Sequence, residues 1–154
     1  MDHVSSEQLR DRLTGALVGL ARSANGSEHL ITPSVTRVIV DGLAATLPDN
    51  CENGALEALI RRAEAEKREM VPNCFTCAMP CGRTNDYDMW KLHTAEADVR
   101  RLKEELLHGI RCMAAKTDRS NEMERFFYKA LFFIGMDDFG VDQLQPVVAE
   151  MKTF

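Results

Sequence analysis

The stretch "NEMERFFYKALFFIGM", residues 121–136, decides how this chain folds. Phe126, Phe127, Ala130, Leu131, Phe133 and Ile134 recur at three- and four-residue intervals, the period of an α-helix. They leave the segment apolar over most of its circumference. A helix of that kind must be enclosed by other elements, so the stretch predicts the central helix of a bundle. On its C-terminal side Gly135 and Gly140 flank a turn, and Asp142 is expected to cap a short last helix with Leu144, Val147, Val148 and Met151 inward.

The segments before it have the same period. A long helix is expected to start between Asp86 and Thr94 and run to about Lys116, with Val99, Leu102, Leu106, Ile110 and Met113 as its buried stripe. Three further helices precede it. The first runs from about Ser6 to Ala24 on Leu9, Leu13, Ala16, Leu17 and Leu20, with Ser5 or Ser6 as cap and Asn25-Gly26 as its stop. The second is expected to be capped by Thr32, with Pro33 at its first position and Val35, Val38, Ile39, Gly42, Leu43 and Thr46 on one face. Pro48-Asp49-Asn50 ends it. The third covers about Asn53 to Met70, with Leu56, Leu59, Ile60 and Ala63 inward, and Pro72 terminates it. No strand pattern competes. The expected architecture is an all-α bundle of about six helices, with a cysteine-rich loop between the third and fourth. It reads as one domain over 1–154: N-terminal helices in 1–71, the loop in 72–90 and C-terminal helices in 91–154.

Bulk composition agrees. A chain of 154 residues with 45% hydrophobic content can bury one core. Its formal net charge is −5, which supplies no general attraction for nucleic acid or anionic lipid. Arg61-Arg62 and Arg100-Arg101 are interleaved with acidic residues and read as solvated helix faces. The opening residues lack the apolar core of a signal peptide, and no run approaches the length of a membrane span. A cytoplasmic protein is expected, without nucleic-acid or membrane partners.

The cysteines are the chemical signal. Cys74, Cys77 and Cys81, three of the chain's five, lie in "NCFTCAMPCG" with spacing C-x2-C-x3-C. In a reducing compartment such a cluster reads as metal-binding or redox-active before it reads as a disulfide framework. Thiolates are soft, strongly donating ligands for zinc and iron–sulfur clusters, and C-x2-C lets two converge from one tight turn. Pro80 fixes the backbone before Cys81, and Gly82 lets the chain bend away. An iron–sulfur cluster of the 4Fe–4S type or a structural zinc ion calls for four ligands. Cys112, Cys51, His93 and His108 are the candidates for the fourth, as is a donor from a second subunit. At the border of its helix's apolar stripe, Cys112 reads as a packing residue before it reads as a ligand. The competing readings of the three thiols are small apolar fillers without metal, or a thiol-redox pair. Tyr87 and Trp90 are placed to shield the loop.

"NCFTCAMPCGRTNDYDM", "VRRLKEELLHGIRCMAAKT" and "ERFFYKALFFIG" together resemble the N-terminal helical module of the hybrid cluster proteins, the hydroxylamine reductase or prismane family. The resemblance covers about Cys74 to Met151. In that family a cysteine loop holds an iron–sulfur cluster, and Cys74 and Cys77 match its first C-x2-C pair. Cys81 would be a third ligand, although the family's later cysteines stand further apart. The family's reductase chemistry sits on a second, hybrid cluster held by later domains. The resemblance therefore implies an electron-transfer or redox-sensing module and argues against hydroxylamine reduction by this chain alone. A redox partner protein and a homodimer are the implied partners. A structural zinc protein and a metal-free helical interaction module are the alternatives.

Overall fold

The computed structural model describes residues 5–25, 27–70 and 96–154. Six α-helices form among them: α1 (Ser6–Ala24), α2 (Pro33–Ala45), α3 (Asn53–Met70), α4 (Ala97–Ala114), α5 (Asn121–Gly135) and α6 (Val141–Met151). A single turn of 3-10 helix, Glu28–Leu30, leads into α2. No strand occurs among the described residues. The expected cysteine loop, 72–90, and the expected start of the long helix, Asp86 to Thr94, lie outside the described residues. The helix described there begins at Ala97, because Glu96 has an extended backbone (φ −79°, ψ 123°).

Short polar side chains set the helix starts. The Ser5 hydroxyl accepts from the Gln8 backbone N–H at 3.2 Å, and the Gln8 side chain accepts from the Ser5 N–H at 3.1 Å. Both bonds satisfy donors that a helix N-terminus otherwise leaves open. Thr32 accepts from Val35 N–H, with Pro33 at the first helical position as expected. Ser120 accepts from Met123 N–H at 3.1 Å. The last helix departs from expectation. Asp142 lies inside its first turn and Gly140 is the cap position, whose N–H donates to Gln143 Oε1 at 2.9 Å. After α2, Asp49 takes φ 60°, the left-handed region, and Asn50 Nδ2 donates to the Ala44 carbonyl at 2.6 Å. The Leu47 N–H donates to the same carbonyl at 3.3 Å, so the end of α2 is closed by backbone and side chain together.

α2 and α5 form the middle of the bundle. Each packs against α1 and α4, and against each other; α3 closes the α1–α2 side and α6 the α4–α5 side. Leu56, Ile60 and Ala63 of α3 and Leu144, Val147 and Val148 of α6 face inward as the periodicity predicts. α5 buries Phe126, Phe127, Ala130, Leu131 and Ile134, while Phe133 is only half-buried. The larger surprise is α1. From Leu13 to Ala21 every residue except Ala16 is buried, including Thr14, Gly15, Val18 and Gly19 off the expected stripe. This helix is therefore enclosed over much of its length, beside the middle pair α2 and α5.

The α1–α2 crossing is close because Gly42 has no side chain. A Cβ there would stand 2.7 Å from Leu17 Cδ2 and 2.8 Å from Leu17 Cδ1, and Leu17 is fully buried. Gly42→Ala is therefore expected to destabilise the bundle by about 1–3 kcal/mol through overpacking, although alanine is the better helix former. Urea denaturation followed by circular dichroism measures this; unchanged or raised stability would contradict the close crossing.

Candidate functional site

The three sequence-predicted ligands Cys74, Cys77 and Cys81 lie outside the described residues, as do His93, Tyr87 and Trp90. The remaining candidates are on the bundle. Cys51 is half-buried just before α3 and packs on the core. Cys112 is exposed near the end of α4, so packing is not its role. Its Sγ stands 3.7 Å from Nε2 of His108, which is also exposed. The two residues are one turn apart (i, i+4), so they share one helix face. Among the described residues no group of three or more histidine, cysteine or acidic side chains is arranged to hold a metal ion. Arg61, Arg62, Arg100 and Arg101 are all exposed, as expected for solvated faces.

The opposite face of α4 carries a group that the sequence reading missed. Lys103 is 1% exposed, in a stripe with Leu102, Leu106, Leu107 and Ile110. Its Nζ donates to the carbonyl of Met136 at 2.7 Å. Met136 is the C-cap of α5, where the helix dipole and the open carbonyls favour a cation. Burial lowers the lysine to about 8 from 10.5, with the Asp137 carboxylate pulling the other way. The positions i, i+3, i+4 and i+7 carry Lys103, Leu106, Leu107 and Ile110, so the burial was readable from spacing alone. Next to this contact, Phe133 stacks on Phe139 (centroids 4.2 Å, planes 26° apart), and Phe132 approaches Phe139 at 5.9 Å.

A shallow groove of about 430 Å³ runs along α2, lined by Ile31, Thr36, Arg37, Asp41, Arg119 and Glu124 among others. Arg119 is held in place by the end of α4: its Nη1 donates to the carbonyls of Ala114 (2.9 Å) and Lys116. Its Nε lies 4.0 Å from a Glu124 carboxylate oxygen. Beside the groove the buried Tyr128 hydroxyl donates to Thr36 Oγ1 at 2.8 Å. Burial pushes this phenol up to about 12, with the Thr36 hydrogen bond acting against the shift and Glu124 adding to it. The groove joins residues 31–41 to residues 119–124, so no local sequence signal could have found it. It holds two basic and two acidic side chains, which leaves no net charge to select a ligand.

The described part of the chain is thus an all-helical bundle with a buried lysine in one seam and a histidine–cysteine pair on its surface. No protein-family model matches the chain, and no curated protein matches it either. No helix among the described residues is long and apolar enough to cross a membrane.

Lys103 gives the bundle a defined pH dependence. Below about pH 8 the buried amine is charged in both folded and unfolded chains, and the burial penalty is fully present. Between about 8 and 10.5 the unfolded chain binds a proton that the folded one has released, so stability rises with pH. Above pH 10 ionisation of Tyr128 in the unfolded chain opposes this, because its folded value is raised to about 12 from 10.0. Chemical denaturation from pH 7.5 to 10 should show stability rising by about 1–2 kcal/mol in the wild type relative to Lys103→Met. Parallel pH profiles for the two proteins would refute this account of Lys103.

Proposed function

We propose that this chain is a metal- or iron–sulfur-binding helical module for electron transfer or redox sensing, with Cys74, Cys77 and Cys81 as its ligands. The observation that carries the reading is the C-x2-C-x3-C spacing within one Pro- and Gly-bounded stretch. Three thiols at that density, in a chain whose other segments read as helices, are a concentration of soft donors that packing does not require. The resemblance to the hybrid cluster proteins rests on the residues quoted for it and supports a cluster over zinc.

The bundle offers the stretch two fixed anchors, the end of α3 at Met70 and the start of α4 at Ala97. Cys112 is the thiol of the described helices that a site at 74–81 can recruit as fourth ligand. The 16 residues from Cys81 to Ala97 can span up to ~55 Å, whereas helix α4 rises only about 22 Å between Ala97 and Cys112. Reach is therefore no obstacle. A bound cluster would supply a one-electron couple, and the chain's part is to hold the thiolates and limit solvent access. The module would pass its electron to a partner protein.

Anaerobic purification with iron and acid-labile sulfide analysis tests this reading. The expected result is a coloured protein with stoichiometric iron and sulfide, both lost in Cys74→Ser/Cys77→Ser/Cys81→Ser. Stoichiometric zinc in a colourless protein, with chelation lowering Tm, would replace the cluster by a structural ion. Metal-free protein after reconstitution, with the triple variant equally stable, would end both.

A further inference from the structure

α4 presents a second arrangement of soft donors that needs none of the residues 74–81. His108 Nε2 and Cys112 Sγ face one another at 3.7 Å across one turn of helix, both exposed. A cation held tetrahedrally at zinc-like distances, about 2.3 Å to sulfur and about 2.0–2.1 Å to nitrogen, places those two donors about 3.6 Å apart. The observed contact, a thiol–imidazole hydrogen bond at 3.7 Å, holds the two donors close to that separation, and a cation would replace the bridging proton. The helix backbone fixes the pair's spacing, and α4 itself is held by α2, α5 and α6. Glu104 lies one turn before His108 on the same exposed stripe and adds negative charge. Arg111, the neighbouring cation, is turned away: its Nη2 donates to Thr14 Oγ1 of α1 at 2.9 Å.

We propose that His108 and Cys112 form a two-donor surface site for a thiophilic divalent cation of the zinc type, with water completing the coordination. On binding, the cysteine gives up its proton to solvent, and the imidazole donates through the Nε2 lone pair. The site is open to its cation whenever a metal at 74–81 completes its coordination with a donor other than Cys112. With two protein ligands, it exchanges its ion readily and suits acquisition or transfer of a cation better than permanent storage.

Cobalt(II) is the probe, titrated without oxygen into the full chain carrying Cys74→Ser/Cys77→Ser/Cys81→Ser. One equivalent should bind, with a thiolate-to-cobalt charge-transfer band. Adding Cys112→Ser should abolish the band, and adding His108→Ala should weaken binding at least tenfold. A band that survives Cys112→Ser would assign the thiolate to Cys51 and overturn the proposal. So would an unchanged affinity in His108→Ala, or no binding in the triple variant where the wild type binds, which would place Cys112 in the site of the loop cysteines. If the triple variant fails to fold, alkylation of Cys112 in the wild-type chain, read by peptide mass spectrometry, decides instead. Zinc should slow it at least tenfold in the wild type and leave it unchanged in His108→Ala; equal rates with and without zinc in the wild type would overturn the site.

Discussion

The ammonium of Lys103 sits in the seam between α4 and the end of α5, bonded to the Met136 carbonyl. A buried cation is costly unless its charge meets a partner, and among the described residues a carbonyl, the negative end of a helix and the nearby Asp137 carboxylate meet it. The contact falls where α5 stops, at Met136, whose backbone is extended. The turn that follows brings Phe139 back against Phe133. α6 then starts at Val141 and packs along α4, returning to the helix that carries the lysine. The C-terminal half of the bundle thus packs apolar side chains of α4, α5 and α6 together with the stem of one lysine, whose amine bonds the end of α5.

The N-terminal half closes differently. α1 is enclosed from Leu13 to Ala21 because small residues let its neighbours approach, and Gly42 of α2 admits Leu17 at the crossing. Thr14 tolerates burial there because its hydroxyl donates to the Arg10 carbonyl at 2.8 Å and accepts from Arg111 of α4. The Arg111 contact links the two halves through a polar bond, as the Tyr128–Thr36 hydrogen bond does between α5 and α2.

Much of this was legible in the sequence. Apolar spacing located α1, α2, α3 and α5 to within a residue or two, since amphipathic helices of a small bundle must turn one face to the core. Thr32-Pro33 marked the start of α2 for a local reason, cap chemistry, that no tertiary context overrides. The cap of α6 was misread because Asp142 has the right chemistry two residues past the cap position, and Gln143 serves the Gly140 N–H instead. Lys103 was missed because charge was taken as a sign of exposure, although its register matched Leu106, Leu107 and Ile110. The candidate site divides in the same way. His108 and Cys112 were named separately as spare ligands, yet their i, i+4 spacing already paired them. The groove along α2 depends on which helices meet, and a single sequence carries no local mark of that.

Tyr128 gives the molecule an optical asymmetry. It is the tyrosine of the described helices, sealed in the α2–α5 seam with its hydroxyl on Thr36. The chain's single tryptophan, Trp90, and its other tyrosine, Tyr87, both belong to the stretch that holds the three clustered cysteines. Red-edge excitation, which reaches tryptophan and not tyrosine, therefore reports the cysteine stretch without the bundle, while circular dichroism follows the helices. Melting of the helices and any event at the thiols would then be followed independently in one unlabelled sample.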